Sequence, residues 1–421
     1  MSKVVKAKYT AEAVSGFNHR TAMEEASRCL LCHDAPCSEG CPAGTDPAKF
    51  IRSIRFRNVK GAAETIRENN ILGGTCARVC PYDRLCEEAC SRCGIDRPIE
   101  IGKLQRYAIE QEEIFNMKTL EAPAEKKAAK IACVGAGPAS LACAAELAKA
   151  GYPVTIFERE EKAGGVLTYG IVPSRLPQAV IDHDIDQVKG LGVNFEFGKD
   201  VKADDLKGYD AVFIGTGLWA TKIPDIEGKE LKGVYAAADF LKEAKTKKEA
   251  FDPGKKVVVV GGGDVTVDCA VTAKLLGAED VRIVYRRTLE EAPGNMTEFQ
   301  YALELGIGVT TGMAPKALKG NGKLETAVFK GFRDENAEMQ VSADTIVFAT
   351  GQGPEDMSKI APVKLTDKGT IDAASEGKTD QENYFAAGDI VNGGKTVVEA
   401  VAAGKEAAAS MIAYLEKKGV K

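Results

Sequence analysis

Histidine is scarce in this sequence: His19, His33 and His183 are the only three in 421 residues. They stand far apart, with neither the spacing of a catalytic triad nor that of a histidine metal site. Tryptophan is scarcer still. Trp219 is alone and follows a glycine turn, where packing is its expected role. No apolar run reaches the roughly 18–20 residues a bilayer crossing needs, so no membrane span is expected. The opening MSKVVKAKYTAEAV has no apolar core and is not read as a signal peptide. Excess positive charge is missing too. The net charge is −5 with mixed signs, which leaves no basic footprint for nucleic acid. The locally basic Arg52, Arg55, Arg57 and Lys60 read as a solvated helix face, with partner docking as the lesser alternative. A chain 44% hydrophobic and 28% charged is ordinary for a soluble protein, and its length suits two or three domains.

What is plentiful is cysteine. Nine of the 12 lie between Cys29 and Cys93, and eight of those form two quartets. The first is Cys29-x2-Cys32-x4-Cys37-x3-Cys41-Pro42. The second is Cys76-x3-Cys80-Pro81-x4-Cys86-x3-Cys90. Without a secretion signal, such crowding points to metal ligation in a reducing cytoplasm rather than to disulfides. Sets of four thiolates with a late Cys-Pro suit iron–sulfur clusters. Structural zinc, which also takes Cys-x2-Cys, is the competing reading. Cys93, Cys133, Cys143 and Cys269 read as packed residues or idle thiols.

The cysteine zone is expected to be helical. Ala48, Phe50, Ile51, Ile54 and Phe56 fit one helix, and Ala62, Ala63 and Ile66 a second, which leads into a loop at Gly73-Gly74-Thr75. Ile101 to Phe115 forms another. The apolar content is low, so bound clusters are expected to supply cross-links. After a linker from Glu121 to Lys130, short apolar strands alternate with helices, the grammar of parallel α/β sheets. That grammar restarts at Lys255.

Each start carries a dinucleotide signature. Strand Ile131–Val134 feeds Gly135-Ala-Gly137-Pro-Ala-Ser140, then a helix, then strand Val154–Phe157 ending on Glu158. Gly135 permits the turn, Gly137 lets a pyrophosphate reach backbone N–H groups, and Glu158 is placed for ribose hydroxyls. Ser140 replaces the usual third glycine. The second start is Val257–Val260, then Gly261-Gly-Gly263-Asp264-Val-Thr266, a helix, and strand Val281–Tyr285. This strand ends on Arg286-Arg287 instead of an acid. Arginines there can accept a 2′-phosphate, so NADPH is favoured over NADH.

Two further segments resemble flavin contacts of the two-dinucleotide-binding flavoproteins. They are Gly164-Gly165 running to Arg175, and Asn383 to Gly388-Asp389. That resemblance implies FAD at the first site, with Gly165, Arg175, Gly388 and Asp389 among its contacts. In order, the chain resembles the family of glutamate synthase small subunits and the N-terminal half of dihydropyrimidine dehydrogenases, over nearly its full length. Leu31-Cys32-His-Asp-Ala-Pro36-Cys37, Cys41-Pro42, the spacing from Cys80 to Cys86 and Ile101-Gly102-Lys-Leu104-Gln105 look like the dehydrogenase branch. The resemblance implies two 4Fe-4S clusters, one on Cys29, Cys32, Cys37 and Cys90, the other on Cys41, Cys80, Cys86 and Gln105. Cys76 would stand aside.

The fold implied is a helical iron–sulfur domain (1–120) followed by a Rossmann-like α/β flavoprotein. Its FAD domain (128–251 and 351–421) would hold an inserted NAD(P)H domain (252–350). The expected function is electron input in the cytoplasm. Hydride from NADPH or NADH would pass to FAD, and single electrons through two clusters to a partner chain. The resemblance makes that partner an FMN- and iron–sulfur-containing subunit that reduces uracil or thymine. No general acid for that reduction stands out here. The alternatives are input to another acceptor, as in glutamate synthase, and a non-catalytic redox-sensing or assembly module.

Overall fold

The computed structural model describes residues 9–247, 250–334 and 336–419. Most of the opening segment weighed as a signal peptide lies outside the described residues. Among the described residues, no helix is long and apolar enough to cross a membrane.

Helices come first: α1 (His19–Ser27), α2 (Pro36–Glu39), α3 (Pro47–Arg55), α4 (Val59–Asn69), α5 (Gly73–Val79) and α6 (Ile101–Ile114). Their starts follow local chemistry. Asp46 caps α3 by accepting from the Lys49 N–H, with Pro47 at the first helical position, and Asn58 caps α4 through the Gly61 N–H. The apolar faces of α3, α4 and α6 meet in one core of Phe50, Ile51, Ile54, Ile66, Leu104, Tyr107 and Ile109. Cys29, Cys37, Cys86 and Cys90 pack against its rim.

Two expectations fail here. Phe56 is not on the buried face; it lies just past α3 and is 69% exposed. The stretch after α4 is not a loop, because Gly73–Val79 is helical. Two glycines weaken the helical signal in the sequence. A remote cap restores it: Asp184 accepts the N–H groups of Gly74 and Thr75 at 3.2 and 2.7 Å.

The chain then runs β1 (Ile131–Val134), α7 (Pro138–Lys149), β2 (Val154–Phe157), α8 (Val166–Tyr169), α9 (Gln178–Gly190), β3 (Asn194–Glu196), β4 (Ala211–Ile214), β5 (Ala220–Thr221), β6 (Val234–Ala236), α10 (Ala237–Lys247), β7 (Lys256–Val260), α11 (Asp264–Leu275), β8 (Asp280–Tyr285), α12 (Met296–Glu304), β9 (Gly308–Thr311), β10 (Met313–Lys319), β11 (Thr326–Gly331), β12 (Glu338–Ser342), β13 (Thr345–Phe348), β14 (Gln352–Gly353), β15 (Tyr384–Ala386), α13 (Asp389–Asn392) and α14 (Val397–Lys417).

Two compact units result. One comprises residues 14–168, 178–218 and 354–419, so it holds the cysteine helices together with the first sheet. That sheet is parallel, in the order β15-β4-β1-β2-β3. The order reverses between β1 and β4, and ligands of open α/β sheets bind beyond the strand ends at such a reversal.

The other unit comprises residues 169–177 and 219–353, with residues 9–13. Its main sheet is parallel, in the order β6-β13-β7-β8-β9, with β10-β11-β12 as an antiparallel sheet. The insertion therefore begins before the expected residue 252. β6 pairs with β13, and Phe240, Leu241 and Ala244 of α10 share a core with Val257, Val259 and Ile283. A three-residue strand with no glycine end gives little signal in the sequence.

Candidate functional site

The first site lies where β1 and β4 end. Gly135 has φ +86°, and a Cβ there would stand 2.9 Å from the Gly215 carbonyl oxygen. Both facts demand glycine. Gly137 is the N-cap of α7, and a Cβ on it would meet nothing nearer than 3.9 Å. The first-turn N–H groups of α7 thus face open space, as a pyrophosphate requires.

Ser140 is fully buried, and its hydroxyl has no hydrogen-bond partner among the described residues. A Cβ on Gly215 would fall 2.3 Å from that hydroxyl, so the third position lies in the helix–strand seam where a larger residue would not fit. Glu158 is buried at the tip of β2. It accepts from the Ala136 N–H at 2.7 Å and the Glu160 N–H at 2.9 Å. Burial raises its pKa, and these N–H donors oppose the rise. A carboxylate offers about four acceptor positions, so two remain for ribose hydroxyls.

The later flavin-type segments arrive at the same helix. A Cβ on Gly165 would lie 3.0 Å from the Gly137 Cα, and one on Gly388 2.9 Å from the Ala139 Cβ. Asp389 opens α13 and accepts from the Lys395 N–H at 3.1 Å, while burial pushes its carboxyl up. Residues from four separate chain segments thus surround one helix N-terminus, and they fit a dinucleotide. Gly135→Val is expected to strip flavin from the purified chain and leave its iron content intact. Flavin at the parent level would contradict this geometry.

Arg175, expected at the flavin, is placed in the other unit. Its guanidinium pairs with Asp268 at 3.3 Å and Glu298 at 3.2 Å. Burial raises the Asp268 carboxyl to about 6, against the pull of Arg175. The sequence reading missed this cluster because its members belong to three separate elements.

The second site repeats the first. A Cβ on Gly261 would stand 2.3 Å from Thr266 Oγ1 and 2.5 Å from the Ala349 carbonyl oxygen. Gly263, the N-cap of α11, has nothing within 4 Å of its Cβ position. The Thr266 hydroxyl, like that of Ser140, is buried without a partner among the described residues. Asp264 is engaged locally and accepts from the Asn295 N–H at 2.6 Å. Arg286 and Arg287 are exposed past β8, and Arg286 lies 5.5 Å from the Phe332 ring centroid.

The thiols divide across the two sequence quartets. Cys29, Cys32, Cys37 and Cys90 line one small, partly open pocket, with Ala35, Ile51 and Ile99 among its walls. Burial pushes the Cys37 thiol up to about 11, and neighbouring Cys90, Cys29 and Cys32 add to the rise. The other group gathers around Cys80. Its thiol is pushed well above the ordinary range, first by a hydrogen bond with Cys76, then by burial and by Cys76, Cys86 and Cys41. Burial, Glu87, Cys41 and, from the first group, Cys37 likewise raise Cys86. Thiols this reluctant to ionise alone suit a metal, which replaces their protons.

Among the described residues no three His, Cys, Asp or Glu converge as ligands of a single ion. Cys76, expected to stand aside from both ligand sets, is buried beside Cys80. Gln105 is buried on α6 and donates its amide nitrogen to the Gly73 carbonyl at 2.7 Å, which leaves its oxygen as a donor atom for metal.

The sequence reading also missed the largest fully buried side chain among the described residues. Arg67 of α4 is fully buried and pairs with Glu112 of α6 at 2.7 Å and Asp184 of α9 at 2.6 Å. His183, which had no role in the sequence, sits 3.0 Å from Glu112. The same Asp184 caps α5, which carries Cys76. One network therefore ties a cysteine helix to the flavin domain.

Known proteins bear on these sites. Residues 6–117 match the family described as dihydropyrimidine dehydrogenase domain II, 4Fe-4S cluster. Residues 129–404 match the pyridine nucleotide-disulphide oxidoreductase family. The NAD-dependent dihydropyrimidine dehydrogenase subunit PreT of Escherichia coli K12 is 43% identical over 97% of this chain and 98% of its own. The glutamate synthase (NADPH) small chain of the same organism is 33% identical, over 96% and 94%. Among solved structures, T. acidophilum thioredoxin reductase covers 68% of this chain and 98% of its own, with TM-score 0.56 and 23% identity. Mycobacterium tuberculosis FprA with NADPH covers 69% and 86%, with TM-score 0.59 and 19% identity. Those structures share the α/β fold. The sequence-derived cofactor set of FAD, 4Fe-4S clusters and a nicotinamide nucleotide agrees with the families matched.

Proposed function

The chain belongs to the pyridine nucleotide-disulphide oxidoreductase family, in the group that includes PreT and the glutamate synthase small chain, and on that premise we propose a specific role. It is the electron-input subunit of a two-chain dihydropyrimidine dehydrogenase. It oxidises NAD(P)H and delivers single electrons to an FMN- and iron–sulfur-containing partner that reduces uracil or thymine. One observation carries this reading. Thiols from two sequence quartets regroup into two sets within the unit that also holds the first dinucleotide loop.

Bound FAD would supply the exchange between two-electron hydride chemistry and the one-electron chemistry of the clusters. The residues do the rest. The N-terminus of α7 receives a pyrophosphate, Glu158 the ribose hydroxyls, and Asp389 the flavin's chain. Cys29, Cys32, Cys37 and Cys90 hold one cluster. Cys41, Cys80, Cys86 and Gln105 hold the other, with Cys76 a close neighbour of the set. The start of α11 holds the nicotinamide nucleotide. The PreT relatives are named NAD-dependent, which favours NADH as donor. Arg286 and Arg287 favour NADPH, and the glutamate synthase relative is named for it.

The test mixes the purified chain with an FMN-containing pyrimidine-reducing subunit, under nitrogen, with NADH or NADPH. Uracil-dependent oxidation of the nucleotide is expected only when both chains are present. Reduction of an artificial acceptor with none of uracil would move the assignment to another acceptor.

A further inference from the structure

Lys405 belongs to none of the motifs above. It follows Gly404 on α14, where this helix nearly touches the start of α7: a Cβ on Gly404 would stand 2.2 Å from the Ala139 carbonyl oxygen. From that crossing its Nζ reaches out of the flavin domain into the cysteine helices. It donates to the carbonyls of Ala43 and Asn69, each at 2.6 Å. Ala43 lies within the turn after Cys41 that the Gly44 N–H closes onto the Cys41 carbonyl at 2.9 Å.

Among the described residues the ammonium has no carboxylate in an ion pair with it. Glu146, an acid that acts on it, pairs with Lys149 at 2.8 Å. The Cys41 sulfur, negative when ionised or bound to metal, is another group close enough to act on it. A half-buried cation is thus held against the turn that follows one thiol of the second set.

We propose that Lys405 sets the reduction potential of the cluster that takes Cys41. Reduction adds one negative charge to a cluster, and a fixed nearby cation stabilises the reduced form. Net charge and hydrogen bonding around the sulfurs are established levers on such potentials. The position is half-buried, so salt screens the interaction less than at an open surface. The proposal rests on the cluster assignment above.

A plainer role exists for part of the geometry. Asn69 ends α4, and a lysine there caps the helix. Lys149 already serves that end through the Glu68 carbonyl at 2.9 Å. The bond to Ala43 ends no helix, and capping does not account for it.

Three variants separate charge from capping. Lys405→Gln keeps a donor for the carbonyls and removes the charge. Lys405→Met removes both, and Lys405→Arg keeps the charge. The full chain with its cofactors is titrated anaerobically, each cluster is followed by its EPR signal, and iron and flavin are counted. In Lys405→Gln, the reduced-to-oxidised ratio of one cluster at fixed potential is expected to fall about tenfold, or roughly 59 mV for a one-electron couple. The other cluster and the flavin should hold their midpoints, and Lys405→Arg should match the parent. Parent-like midpoints in Lys405→Gln would overturn the proposal, as would an equal shift of all centres. If Lys405→Met does not assemble, Lys405→Gln still decides. Failure of the cluster assignment looks different: the parent itself would lack a second cluster signal, or would keep both signals in Cys41→Ser.

Discussion

Arg67→Met is expected to destabilise the protein by about 3–5 kcal/mol, the range seen when one member of a buried ion pair is removed. The guanidinium is fully buried and donates to Glu112, Asp184 and the Ile71 carbonyl. Methionine fills much of the space but leaves two carboxylates buried without their counter-charge. The pH dependence should follow. Burial pushes the Glu112 carboxyl up, but His183 and Arg67 outweigh it and hold it at about 2. A depressed carboxyl contributes stability above its unfolded pKa, which lies near 4.5. That contribution should fade as pH falls from about 4.5 towards 2. Urea denaturation of the parent and the variant across this window measures both effects. A cost below about 1 kcal/mol would mean that the carboxylates find other partners. Because Asp184 also caps α5, the variant should lose iron before it loses flavin.

Cys90→Ala is expected to remove one cluster, about half the iron of a chain with two four-iron centres. The expectation is specific because Cys90 ends the second sequence quartet yet lines the cavity of Cys29, Cys32 and Cys37. The EPR signal lost should be the one lost in Cys37→Ser. The signal lost in Cys86→Ala should be the other. If Cys90→Ala and Cys86→Ala remove the same signal, the quartets bind as they read along the chain, and the interleaved assignment is wrong.

The sequence made the local features of both sites legible. A glycine turn and a helix N-terminus lie within one βαβ unit at each site, with a terminal acid at the first alone, so the local geometry at Gly135, Gly137, Glu158, Gly261 and Gly263 could be read directly. The crowding of thiols was equally plain, but their partition was not. It depends on how helices fold back on one another, and the choice of Cys90 for the first set came from a family resemblance.

What stayed hidden depends on distant partners. Arg67 and Asp184 are 117 positions apart, and neither sits in a motif. The helix Gly73–Val79 looked like a loop because its cap comes from α9, not from the preceding residues. Strand β6 was too short to announce that the second domain had begun. Lys405 sits mid-helix, and only the fold shows what its long side chain reaches.

The central claim is that one chain carries electrons from a nicotinamide nucleotide into two iron–sulfur centres. The most direct measurement is an anaerobic titration of the purified chain with NADH and with NADPH, read by flavin absorbance, EPR and iron analysis. Flavin bleaching, two cluster signals and about eight irons per chain are predicted. Flavin bleaching with zinc in place of iron, or with no reducible cluster, would contradict the account.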